Sequence, residues 1–180
     1  MNHTRSALPF LCLLTFGCTE EKSSDTASPQ LVESTEYYQG VSNLTHAGGS
    51  ETSDLLARRT LSPATSTITE KFIDLTNNAV YDLSMTVDVD TNTFTGGYDD
   101  GSYTSSGTLF GDAWEWHGWE STSTNSDGTA YTQTIESTDT KDENGVVATK
   151  TGFDAAGQAL WNSEEVLTPI TEEEWLALQE

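Results

Sequence analysis

Ala79-Val80-Tyr81-Asp82-Leu83-Ser84-Met85-Thr86-Val87-Asp88-Val89 is the stretch whose reading decides the fold. Tyr81, Leu83, Met85, Val87 and Val89 alternate with Asp82, Ser84, Thr86 and Asp88. Successive side chains of a strand point to opposite faces, so this period of two specifies a strand with one apolar and one wet face. A sheet built from such strands must bury one side and leave the other in water, which is the habit of antiparallel sheets.

The same chemistry recurs outward in both directions. Runs rich in Thr, Val, Tyr and Trp, the residues strands prefer, occupy Leu55–Leu61, Thr65–Leu75, Thr93–Tyr98, Tyr103–Phe110, Trp114–Ser123, Thr129–Ser137, Val146–Phe153 and Gln158–Leu167. Between them stand Asn77-Asn78, Thr91-Asn92, Asp100-Gly101, Gly111-Asp112, Asp127-Gly128, Asn144-Gly145 and Ala156-Gly157. Asp-Gly and Asn-Gly are hairpin signals, expected here as type I′ turns with positive φ at both central residues. Hairpin after hairpin gives an all-β antiparallel meander of about nine strands, each paired with its sequence neighbours. A meander with one apolar face hides that face by closing into an up-and-down barrel or by folding into two layers. At the end of the chain, Thr171 followed by Glu174 forms a capping box, and Glu172–Glu174 complement the helix dipole. This predicts a short C-terminal helix, with Trp175 and Leu178 packed on the sheet or across a barrel end.

Gly107-Thr108-Leu109-Phe110-Gly111-Asp112-Ala113-Trp114 and the Trp114-x-Trp116-x-x-Trp119 cluster, with this strand rhythm, resemble bacterial lipocalin-like domains over roughly Leu55 to Trp175. The resemblance implies a lipocalin-like barrel. On a strand, Trp114 and Trp116 share one face and Trp119 takes the other. Aromatic side chains lining a barrel suit a small apolar or carbohydrate ligand, whereas the same three residues turned into the core only fill it.

The N-terminus carries an address. Met1–Ser6 holds one basic residue, Arg5, and Ala7–Phe16 is almost wholly apolar, the layout of a secretory signal and too short to span a bilayer. Leu14-Thr15-Phe16-Gly17-Cys18 resembles the bacterial lipobox, which implies cleavage before Cys18 and acylation of that cysteine. Gly17 and Cys18 match; Thr15 and Phe16 stand where the motif usually has Leu and a small residue, so cleavage by an ordinary signal peptidase is the alternative. The other cysteine, Cys12, lies within the signal, so the mature chain has no thiol left to pair. Thr19–Gln30 is polar and acidic without apolar periodicity and reads as a flexible tether. The expected organisation is therefore 1–17 signal peptide, 18–53 lipidated cysteine and linker with room for one strand, and 54–180 β-domain. Thr19 is not the Asp that retains enteric lipoproteins at the inner membrane, so the resemblance implies a lipid anchor in the outer membrane.

Charge narrows the partners. The chain has 7 basic and 29 acidic residues, net −22, and loss of the signal removes Arg5 and no acid. So acidic a surface repels nucleic acid and anionic head groups. Asp88-x-Asp90-x-Asn92, with Asp99 at the twelfth place, partly matches a calcium loop, although Thr93 stands where that loop needs Gly. Asp139, Asp142 and Asn144 make a second oxygen-rich stretch. Glu115 and His117 form an acid–base pair on paper, but no nucleophile or metal shell accompanies them. No phosphate-cradling or cofactor motif occurs. The sequence thus points to a noncatalytic, membrane-anchored envelope module that binds a small apolar molecule or an envelope protein; a hydrolase using Glu115, His117 and nearby Asp residues, or a purely structural envelope role, are the alternatives. Radiolabelled palmitate should enter the wild-type chain in a bacterial host and not Cys18→Ala; label persisting in the variant overturns the anchor.

Overall fold

Alternation of side chains across each strand is carried through the whole domain. A computed structural model of the chain describes residues 32–115, 118–125 and 133–180. These contain strands β1 (Ser34–His46), β2 (Gly49–Ser62), β3 (Thr67–Asp74), β4 (Ala79–Asp88), β5 (Thr93–Tyr98), β6 (Tyr103–Leu109), β7 (Trp119–Asn125), β8 (Gln133–Asp142), β9 (Gly145–Phe153) and β10 (Ala159–Ile170), then helix α1 (Glu172–Ala177). Every strand pairs antiparallel with its sequence neighbours, and β1 returns to β10 to close the barrel. The fold is the expected all-β meander in its barrel form rather than as two layers, with ten strands instead of about nine.

The added strand is β1. With the first part of β2 it fills 34–53, which the sequence reading assigned to the linker with at most one strand, so the folded domain begins earlier than residue 54. Closure rests on a long register running from Tyr37 opposite Ile170 to His46 opposite Trp161. In β4, Tyr81, Leu83, Met85 and Val87 all line the interior, as the alternation requires. Val89 falls in the following loop and is exposed.

The outer face is wet. Thr86, Thr95, Ser106, Thr108, Thr122, Glu136 and Thr149 occupy the alternate positions and are exposed. A polar outer face is unlike the apolar band with which a membrane barrel meets lipid. No helix among the described residues is long and apolar enough to cross a membrane.

The turns differ from the type I′ expectation. The loops 63–66, 75–78 and 89–92 each end on a left-handed residue, Ser66, Asn78 and Asn92, with φ of 54°, 53° and 53°. In two of them an Asp opens the loop: Asp74 Oδ1 accepts from the amides of Thr76 and Asn77, and Asp88 Oδ1 from those of Asp90 and Thr91. Asp side chains closing on the backbone in this way replace the glycine-driven turn. At Asn144-Gly145 and Asp100-Gly101 only the glycine has positive φ. Asp127-Gly128 lies outside the described residues.

Helix α1 begins with the expected capping box: Thr171 Oγ1 accepts from the Glu174 amide and Glu174 Oε2 from the Thr171 amide. Trp175 packs on the outer wall, in one buried cluster with Leu56 and Ile73 and against Tyr37 and Ile170. It does not close a barrel end, and Leu178 is exposed rather than packed. Trp175 is 4 % exposed, so Trp175→Ala should lower the unfolding free energy by about 3 kcal/mol in urea titrations. Leu178→Ala should stay within about 0.5 kcal/mol of wild type.

Candidate functional site

Inward positions of the barrel grow emptier along the strands. On β4, Val87 is 3 % exposed whereas Tyr81, three inward steps away, is 41 % exposed. At the Val87 end, Leu61, Ile68, Val87, Phe94 and Ala113 pack into one buried cluster. Toward Tyr81, inward Ser42, Ser53, Gly96, Ser105, Ala148 and Ser163 are too small to meet across the barrel, and a cavity of about 590 Å³ opens between them. Its lining runs from Leu44, Glu51 and Asp74 at one end to Asp112 and Glu115 at the other. Gly152 has a specific task in this wall: a Cβ there would lie 2.3 Å from the Trp161 indole, so the glycine gives the ring its place.

The middle of the cavity is charged. Arg59 and Glu70 face each other in register across β2 and β3, with Arg59 Nε 3.5 Å from Glu70 Oε1. Lys150 Nζ, from β9, donates to both oxygens of Glu165 on β10 at 2.8 and 2.9 Å. It also sits 5.6 Å above the Phe72 ring. From β8, Asp139 joins this group and accepts a 2.6 Å hydrogen bond from Ser137 Oγ. Charges taken from water need partners, and adjacent strands supply them here.

Burial pushes the Glu70 carboxyl above the usual glutamate range, although Arg59 and Lys150 pull it down. Burial opposes the Lys150 charge, yet Glu165, followed by Glu70 and Asp139, raises its pKa above the ordinary lysine value. Beside them Tyr81, Tyr98 and Tyr103 stack in a row, with ring centroids 5.7 and 4.9 Å apart. Burial, with Tyr103 and Tyr81 adding to it, raises the Tyr98 hydroxyl, which keeps it a neutral phenol.

The residues singled out in the sequence fare unevenly. Trp119 lines the cavity and meets Phe94 edge-on, with centroids 6.1 Å apart at 80°. The strand predicted over Trp114–Ser123 starts only at Trp119. Trp114 instead lies in the β6–β7 loop, where its amide donates to Asp112 Oδ1, and it packs on the same apolar cluster as Trp119. The expected opposition of Trp114 and Trp119 across a strand is therefore replaced by convergence on one cluster. Trp116, His117 and Cys18 lie outside the described residues. Glu115 lines the loop end of the cavity.

The calcium loop is not assembled. Asp88 ends β4 and Asp90 and Asn92 follow in the β4–β5 loop, but the whole of β5 separates them from Asp99, which puts it on the order of 20 Å away at strand rise. Among the described residues no group of three or more His, Cys, Asp or Glu is arranged to hold a metal ion. The second oxygen-rich stretch also divides: Asp139 points inward from β8, whereas Asp142 receives the amides of Asn144 and Gly145 in the turn.

No protein-family model matches the chain, and no curated protein is similar to it in sequence.

Glu70 leaves a measurable trace. A carboxyl whose folded pKa exceeds its unfolded value binds more protons in the native state, so stability falls as pH rises between those two values. Asp74 acts in the opposite sense: burial would raise its pKa, but hydrogen bonds from Asn77, Ser53 and Thr76 outweigh it and hold it low. Its contribution is present above the ordinary Asp value and is lost as pH falls through the lowered one. Urea unfolding of the wild type should therefore show stability declining above the normal glutamate pKa, and Glu70→Gln should flatten that decline. An unchanged slope in the variant would assign the titration elsewhere.

Proposed function

We propose that this chain is an exported, lipid-anchored bacterial envelope protein whose barrel receives a small, mainly apolar molecule without reacting with it. The cavity carries the reading. At about 590 Å³ it falls within the range of sites that enclose small-molecule ligands. Its walls combine aliphatic and aromatic faces, which supply binding energy, with a band of charged and hydroxyl groups that can orient a ligand.

The buried acids favour binding over chemistry. Glu70 faces Arg59 and Glu165 accepts two hydrogen bonds from Lys150, so each of these acids already has a basic partner beside it. Glu115, the carboxylate of the hydrolase alternative, lines the loop end of the same cavity. The polar, Thr-rich exterior suits a domain suspended in water beside its membrane, with the lipid on Cys18 and the tether 19–30 as the attachment. Outer-membrane placement follows from Thr19 after the acylated cysteine.

Two measurements test the reading. Protein purified from its envelope in mild detergent should carry a retained small molecule in native mass spectrometry. The purified barrel should also bind the neutral fluorophore N-phenyl-naphthylamine in one saturable step. Ser163→Trp, which fills the cavity from β10, should weaken that binding at least about tenfold, about 1.4 kcal/mol. Equal binding by this variant with its fold intact would place the fluorophore elsewhere and sink the cavity reading.

A further inference from the structure

We infer that the cavity selects an amphipathic cation, an apolar body bearing an ammonium group, over the neutral or carboxylate form of the same body. The inference rests on the binding function proposed above and assigns its ligand class. Among the described residues, Glu51, Glu70, Asp74, Asp112, Glu115, Asp139 and Glu165 line the cavity against two bases, Arg59 and Lys150. The two bases already face Glu70 and Glu165. A ligand carboxylate would have to displace one of those acids while remaining beside the rest.

An ammonium meets the opposite situation. Asp139 stands next to Lys150 and Glu70 with a hydroxyl, Ser137, as its hydrogen-bond donor. It adds a third carboxylate to a group with two bases. A cation placed there also joins Arg59 and Lys150 in favouring the ionised form of Glu70.

The aromatic wall makes a second and separate case. Tyr81, Tyr98 and Tyr103 present consecutive rings along the cavity, and Lys150 already lies over Phe72. Ring faces attract cations, ammonium ligands included, most strongly where water is excluded. An alkyl or aryl body then extends along Leu83, Met85 and Trp161. The chain's net charge of −22 draws cations toward the barrel and repels anions before either reaches the mouth.

Competition against N-phenyl-naphthylamine distinguishes this inference from the reading beneath it. Dodecylammonium, dodecanol and dodecanoate, each below its aggregation concentration, share a tail and differ only in head group. Dodecylammonium should displace the fluorophore at concentrations at least tenfold below dodecanoate and well below dodecanol. Asp139→Asn should reduce the ratio of ammonium to alcohol affinity severalfold, whereas Glu136→Gln, on the outer face of the same strand, should keep it. Equal displacement by all three head groups overturns the cation preference and leaves the cavity reading standing. Failure of the fluorophore to bind wild-type protein overturns both. An ammonium preference that survives Asp139→Asn overturns the placement of the charge.

Discussion

The number of strands that close the barrel sets the width of its interior, and everything else about the candidate site follows from that width. Eight strands give a lumen that side chains just fill or that holds one small ligand; this barrel has ten. A wider lumen stays closed only where large residues span it, as Leu61, Ile68, Val87 and Phe94 do at one end. Toward the other end the inward positions pass to Ser42, Ser53, Ser105 and Ser163, so the same geometry that packs one half leaves the other hollow. The cavity is thus the product of side-chain size at a fixed radius, not of a missing element.

Buried charge in such a wall is tolerable because strand pairing supplies the partner. Arg59 and Glu70 occupy facing positions of adjacent strands, so the register that folds β2 against β3 also brings the charges together. Lys150 reaches Glu165 across β9 and β10 in the same manner. Replacing such pairs with apolar residues is often neutral or stabilising, so stability alone does not account for them. Their position in the middle of a hollow lumen, beside the tyrosine row, is what the proposed ligand preference draws on.

How far the sequence was legible depends on how each residue type advertises its face. The stretch 79–88 announces itself because its inward residues are all apolar and its outward residues nearly all polar. β1 does not: its inward positions include Gly40 and Ser42, and its outward ones include Tyr37 and Val41, so the period of two is blurred although its pairing is as regular as any. The charged cluster is less legible for a related reason, since a Glu or Lys on a strand is usually exposed and does not by itself mark an inward face. The signal was nonetheless present in register. Glu70 lies between Ile68 and Phe72, and Lys150 follows Val146 and Ala148, each at a spacing of two from apolar residues on the same face. Trp114 misled in the other direction, because a tryptophan beside a strand looks like part of it, while Asp112 had already turned the backbone into a loop.

Closure itself poses a problem that no hairpin solves. Every other pair of neighbours is joined by a connection that sets its register, but β1 and β10 come from opposite ends of the domain. Helix α1 meets this need directly. Tyr37 on β1 and Ile170 on β10 face each other in register, and both pack against Trp175 together with Leu56 of β2 and Ile73 of β3. Arg58, 5.7 Å from the indole centroid, adds a cation–π contact on the same side. One tryptophan therefore gathers apolar outer-face residues from four successive strands around the seam, and a one-residue slip of β1 would turn its partner Tyr37 to the lumen. The C-terminal helix is in this sense a register device: it stabilises the arrangement in which the seam closes, and with it the width from which the cavity derives.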